Sequence, residues 1–280
     1  MGNTPGAEQR TQGTRTLCIT SGKGGVGKTT LSVNLGIAMA AEGRRVVLLD
    51  GDLGLANINV QLGISPEFNI MDVVKGRKTL AEIVCKSKYG VDFISGGTGI
   101  PQLANLGAAE QATFMESMAS LTGYDVMVID TGAGIGANVI RFVLAADDVV
   151  VVTTPEPTAM TDAYGIIKTI SSNKLKPPMK LLVNRVASVK HAEQVVERLN
   201  TVTRRFMNGL HLDLVGYVPL DPLIEKSIFQ QRPHLVSNPS VKSADLIRAA
   251  ANRILDPNYQ KPSSGLAGFF QKVLSFASDR

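Results

Sequence analysis

Residues Ser21 to Thr30, Ser-Gly-Lys-Gly-Gly-Val-Gly-Lys-Thr-Thr, combine the residue types that handle phosphate. Gly22, Gly27, Lys28 and Thr29 meet the spacing G-x-x-x-x-G-K-T. Gly22, Gly24, Gly25 and Gly27 remove side chains that would block close approach. Successive backbone N–H groups, Val26 among them, can then turn toward phosphate oxygens at a helix N-terminus that opens through Thr30. Lys28 can reach the terminal phosphates of a nucleotide, and the Thr29 hydroxyl is placed to hold a Mg²⁺ that bridges them.

Two acidic stretches supply the rest of the chemistry. Arg45 to Asp50 is an unbroken branched run that ends on acid and continues into Asp52; a carboxylate there lies beside a phosphate loop, because ligands of open α/β sheets bind outside the carboxyl ends of the strands. Asp52 is the candidate for positioning an attacking water. Tyr124 to Gly136, YDVMVIDTGAGIG, runs from a buried strand into Asp130 and then into glycine. Asp130 suits a magnesium-binding acid, and Gly132, Gly134 and Gly136 let the loop rearrange with the γ-phosphate. Leu181-Leu182-Val183-Asn184-Arg185 and Val215 to Asp221 are further strands whose ends, Asn184 and Pro219, fall on the same side.

Lys23, five residues before Lys28, is unusual in such a loop. The K-G-G-V-G-K-T form resembles the deviant Walker A motif of the MinD/ParA family of dimerising ATPases. The resemblance covers about Thr16 to Leu255. It implies ATP and Mg²⁺ as cofactors and a three-layer P-loop NTPase fold. It implies that Lys23 reaches across a homodimer to the phosphates of the second copy, with Lys28, Lys23 and Asp52 as the catalytic set. It also implies Thr29, Asp52 and Asp130 around the metal, and Asn184 and Pro219 against adenine. DLGLANINVQLG, DTGAGIG and PEPTAMTDAYGIIK resemble the FlhG/FleN-type members that regulate flagellar number and placement. That resemblance implies two partners, a signal-recognition-type GTPase and a flagellar transcription activator. Members that stimulate the GTPase carry D-Q-A-x-x-L-R near the N-terminus. Glu8-Gln9-Arg10 with Arg15 departs from it, so GTPase activation is not implied. The alternatives are a MinD-like division-site regulator and a ParA-like DNA-segregation ATPase. The basic residues are scattered apart from Arg204-Arg205, which argues against nucleic acid.

The elements that must position these groups read as an α/β chain: a mostly parallel sheet of about seven or eight strands with helices on both faces. Short helices are expected at Ile70 to Val74 and Leu80 to Val84, a strand at Val91 to Ile94, and longer helices at Ala108 to Leu121 and Val189 to Met207. The expected division is a flexible segment 1–14, an ATPase domain 15–255, a linker 256–264 rich in proline, serine and glycine, and an amphipathic helix 265–280. In that helix Leu266, Phe269, Phe270, Val273 and Leu274 form one apolar stripe. The stripe fits either a membrane surface, as the C-terminal helix of MinD-type proteins does, or docking on this domain or a partner.

Hydrophobic residues make up 44% of the 280, enough for a sizeable core, and no apolar run reaches the roughly 20 residues a bilayer demands. The polar first fifteen residues lack the apolar stretch of a signal peptide, so the cytoplasm is the expected location, with the inner membrane face added if the tail binds lipid. A net charge of +5 permits an anionic partner without naming one. Cys18 and Cys85 have no metal or redox spacing, and His191, His211 and His234 read as isolated.

Overall fold

The computed structural model describes residues 13–52, 57–97, 103, 106–119, 121–255 and 265–278. The segment 1–12, part of the first acidic loop (53–56) and the linker 256–264 lie outside the described residues. So do residues 98–102, 104, 105, 120, 279 and 280.

The chain alternates strand and helix. β1 (Arg15–Ser21) passes through the glycine loop into α1 (Lys28–Ala41), then β2 (Val46–Gly51), α2 (Ile58–Leu62), α3 (Ile70–Val74), β3 (Cys85–Lys86), β4 (Val91–Ile94) and α4 (Ala108–Ala119). β5 (Val126–Ala133), α5 (Ala137–Ala145), β6 (Asp148–Thr153), α6 (Pro157–Ser171), β7 (Met179–Val186), α7 (Val189–Phe206) and β8 (Asp213–Pro219) follow. The chain closes with α8 (Pro222–Phe229), α9 (His234–Ser237), α10 (Lys242–Ile254) and α11 (Gly265–Ser278).

Eight strands form one sheet in the order β3-β4-β2-β5-β1-β6-β7-β8. Every neighbouring pair is parallel except β3 with β4. Val46 to Leu49, Val126 to Ile129 and Val149 to Val152 are buried throughout, as unalternating β-branched runs must be when helices cover both faces. One core lies under α3, α4, α5, α6, α7 and α11, and the other under α1, α2, α9 and α10. The chain leaves β1 toward β2 on one side and later crosses to β6 on the other, so the crevice at the carboxyl ends opens where β2, β5 and β1 meet.

Leu80 to Val84 is not a helix. Thr79 and Glu82 close on each other, with the Thr79 N–H donating to Glu82 Oε2 at 2.7 Å. The backbone bonds run three residues back, from Glu82 to Thr79 and from Val84 to Ala81, so the segment turns and feeds the antiparallel edge strand β3.

The tail stripe is covered. Leu266, Phe269, Phe270, Val273 and Leu274 are 1–6% exposed and join the core of their own domain against α4 and α5. Phe270 meets Phe114 edge-on at 5.3 Å, Phe142 lies 5.7 Å from Phe269, and Lys272 Nζ lies 3.5 Å from the carbonyl of Ala145 at the C-terminal end of α5. Of the two docking modes open to this stripe, the fold adopts the internal one. Each large apolar side chain so buried contributes on the order of 1.5–3 kcal/mol. Among the described residues no helix is long and apolar enough to cross a membrane.

Candidate nucleotide site

The glycine loop leaves β1 at the sheet crevice. Gly25 (φ +76°) and Gly27 (φ +96°) hold the left-handed conformations that turn the loop around its own N–H groups. Gly22 is required for a different reason: a Cβ there would stand 2.0 Å from the carbonyl oxygen of Asp162, so α6 packs directly on the loop. Gly24 and Gly25 face open space, which leaves the cradle accessible.

Lys28 is buried at the start of α1. Burial holds its ammonium below the ordinary lysine range, and the charges of Asp130 and Asp52 oppose that shift. Asp130 lies in the buried part of β5, one residue before its end at Thr131, with its Cα paired to Ile19 on one side and to Asp50 on the other. Ser32 Oγ lies 2.9 Å from Asp130 Oδ1, and the Thr29 hydroxyl lies beside the same carboxyl. Among the described residues Asp130 Oδ2 is buried with no hydrogen-bond partner. Burial pushes this acid up to about 7 against the pull of Thr29, Ser32 and Lys28. A carboxylate oxygen left without a donor beside a threonine hydroxyl fits a hard divalent cation, taken directly or through a bound water, so the residues present suit Mg²⁺.

Asp52 is half-buried at the mouth of the crevice, with Oδ1 3.4 Å from where a Cβ on Gly132 would stand. Its loop is set by Asp50, which is 1% exposed and accepts the N–H groups of Asp52 (3.1 Å), Asn57 (2.9 Å) and Ile58 (3.2 Å). Burial raises the Asp50 pKa, and these three donors hold it down. The loop after β5 is anchored by the Gly134 N–H on the Ser21 carbonyl at 2.9 Å. Thus Lys28, Thr29, Asp52 and Asp130 converge at one crevice.

Lys23 and Asn184 carry contacts within the chain that their spacing does not show, and one histidine read as isolated is not. Lys23 Nζ donates to Glu156 Oε2 at 2.7 Å and to Thr158 Oγ1 at 2.8 Å, so within one chain it is tied to the first turn of α6. Asn184 spends its amide on the backbone: Nδ2 donates to the Val26 carbonyl at 2.8 Å and Oδ1 accepts the Arg185 N–H at 2.9 Å. It therefore braces the glycine loop, retaining one proton and one lone pair for a base. Pro219 ends β8 beside it, with Leu220 N–H on the Val186 carbonyl at 3.2 Å. His234 is not isolated; it is 1% exposed and sits 2.8 Å from Ser243 Oγ.

The sequence reading missed Ser32, Asn34, Gln61, Glu156 and Thr158. Ser32 and Asn34 had a signal, since both are polar positions within the apolar stretch that runs from Leu31 to Ala41. Gln61 Nε2 donates to Thr30 Oγ1 at 3.2 Å, which joins α2 to the loop and had none.

A family model described as ParA, NUBPL iron-transfer P-loop NTPase, matches residues 12–255. The chain is 36% identical over 239 residues to the antiactivator FleN of Pseudomonas aeruginosa, covering 85% of each. It is 35% identical to the flagellum site-determining protein YlxH of Helicobacter pylori, covering 94% of this chain and 90% of that one. The septum site-determining protein MinD of Pyrococcus horikoshii, solved with Mg-ADP, superposes with a TM-score of 0.67 at 25% identity over 86% of this chain and 96% of that one. The chain belongs to the ParA/MinD family of P-loop ATPases, whose cofactors are ATP and Mg²⁺.

Proposed function

We propose that this ATPase is a dimerising switch that sets flagellar number or placement. The observation that carries the reading is the convergence of Lys28, Thr29, Asp52 and Asp130 at the sheet crevice in a chain 35–36% identical to FleN and YlxH.

In this reading the N–H groups from Gly24 to Thr29 hold the phosphates, with Gly22 and Gly27 shaping the turn. Lys28 places a point charge on the terminal phosphates. A bound Mg²⁺ would supply positive charge that offsets the charge of the phosphates. Thr29 and Asp130, with Asp52 nearby, would hold it, and Asp52 orients the attacking water. Asn184 and the Pro219 turn receive adenine. Lys23 leaves Glu156 and Thr158 when two copies close face to face, and neutralises the phosphates of the other copy's nucleotide.

The flagellar partners follow the same reading: a polar signal-recognition-type GTPase and a flagellar transcription activator. Membrane association through Leu266, Phe269, Phe270, Val273 and Leu274 requires α11 to leave its groove first, because that stripe is the packed one.

The test is to replace the chromosomal copy with one carrying Asp52→Ala and count flagella per cell by electron microscopy. The reading expects an altered number or position. Normal flagella with displaced division septa would contradict it.

A further inference from the structure

Behind the Pro219 turn lies a buried chain of polar side chains that the nucleotide chemistry does not use. Asp221 caps α8 by accepting the Leu223 N–H at Oδ1, 2.9 Å away. Its other oxygen, Oδ2, accepts the Ser243 hydroxyl of α10 at 2.5 Å. That hydroxyl has one proton, and it is spent on the carboxylate. Ser243 Oγ must therefore accept from His234 Nε2, 2.8 Å away, which assigns the imidazole proton to Nε2. His234 Nδ1 is left as an acceptor, 3.4 Å from both Asn238 Nδ2 and Ser227 Oγ. Ser227 donates to the Leu223 carbonyl at 2.7 Å and accepts from Asn238 Nδ2 at 3.0 Å, so the Asn238 amide, which has two protons, serves both Ser227 Oγ and His234 Nδ1. Every donor in the series points toward Asp221, and His234, Ser227 and Ser243 are 1–2% exposed.

The far end of the series is fixed to the phosphate loop. Asn34, fully buried in α1, donates from Nδ2 to the Thr30 carbonyl at 2.7 Å and accepts the Leu235 N–H at Oδ1, 2.9 Å away. α9, which carries His234, is thus pinned to the first turn of the helix that opens from the cradle. Asp221 directly follows the Pro219–Leu220 turn, where Leu220 is 73% exposed at the carboxyl end of β8. The path runs Thr30, Asn34, Leu235, His234, Ser243, Asp221, and joins the phosphate cradle to the turn proposed to receive the base.

We propose that Ser243 and His234 are positioning residues that set the distance between the phosphate cradle and the base-receiving turn, and so determine selectivity for the nucleotide base. This rests on the reading that Asn184 and the Pro219 turn receive adenine. The side chains of Ser243 and His234 bond to Asp221, to each other and toward Ser227 and Asn238 rather than to the residues of the cradle, so their loss acts on base discrimination and leaves phosphate binding in place. Burial depresses the His234 pKa, in keeping with a neutral ring that donates from one nitrogen and accepts at the other.

The experiment measures affinity for ATP, GTP and inorganic tripolyphosphate by calorimetry with Mg²⁺ on the full chain, for wild type, Ser243→Ala, Ser243→Thr and Asp221→Asn. Asparagine keeps the α8 cap through Oδ1 but offers protons to Ser243, which reverses the polarity of the series. Wild type is expected to bind ATP at least about tenfold tighter than GTP. Ser243→Ala and Asp221→Asn lose that ratio while binding tripolyphosphate as wild type does, and Ser243→Thr restores it. If wild type does not distinguish ATP from GTP, the base-site reading fails and the proposal with it. If wild type discriminates and both variants keep the wild-type ratio, only the proposal is overturned. Equal weakening toward all three ligands, tripolyphosphate included, overturns it as well, since that is the signature of general loosening.

Discussion

Lys23 Nζ and Glu156 Oε2 stand 2.7 Å apart, and Thr158 Oγ1 accepts a second proton of the ammonium at 2.8 Å. Both charged side chains are substantially exposed, at 36% and 59%, so water and salt screen the pair and it adds little to the fold. Its weight falls on availability: a lysine engaged with α6 must give up that contact to serve a second copy. Glu156→Gln is expected to leave the thermal midpoint unchanged while shifting ATP-dependent association toward the dimer, read by light scattering across protein concentration. A lowered midpoint with unchanged association would mean the pair is only structural.

Lys28→Ala is expected to weaken ATP binding by about 100-fold or more, because the phosphates lose their fixed charge in a cradle otherwise made of backbone dipoles. Calorimetry with Mg-ATP checks this, and an affinity within threefold of wild type, roughly 0.7 kcal/mol, would remove Lys28 from the site.

Asp130 gives a pH signature. Its ordinary value of 3.8 is raised to about 7 in the fold, chiefly by burial, so between these values the folded protein holds a proton the unfolded chain has released. Nucleotide-free protein should therefore lose stability as pH rises from about 4 to about 7. At 1.36 kcal/mol per unit of pH the whole effect is on the order of 4 kcal/mol. Asp130→Asn should flatten this dependence and weaken the response to Mg²⁺. Parallel melting curves for both proteins over that pH range would contradict the assignment.

The parts of the fold that could be read from residues were those with local causes. Unbroken apolar runs ending on Asp50 and Asp130 marked buried parallel strands, and the left-handed turns at Gly25 and Gly27 were implicit in the loop's glycine spacing. What escaped was decided by tertiary partners. A stripe of Leu266, Phe269, Phe270, Val273 and Leu274 has the same period whether it meets lipid or the Phe114 and Phe142 rings. Glu156 lies 133 residues from Lys23, and His234 shows no partner until Ser243, itself bonded to Asp221, reaches it from another helix.

The docked tail has a measurable cost of removal. Phe270, 1% exposed among Phe114 and Phe269, should destabilise the protein by about 3–5 kcal/mol when changed to alanine. Denaturant unfolding reads this directly, and a change below about 1 kcal/mol would mean that α11 does not belong to the folded core.

The central claim, that ATP joins two copies across the crevice and hydrolysis parts them, is tested by light scattering with ATP and Mg²⁺ on wild type, Lys23→Ala and Asp52→Ala, with phosphate release followed in the same samples. Asp52→Ala is expected to bind ATP and accumulate as dimer with turnover nearly stopped, and Lys23→Ala to bind ATP, stay monomeric and hydrolyse poorly. If Lys23→Ala forms the same ATP-dependent dimer as Asp52→Ala, Lys23 does not act across the interface and the protein works as a phosphate-loop ATPase within a single chain.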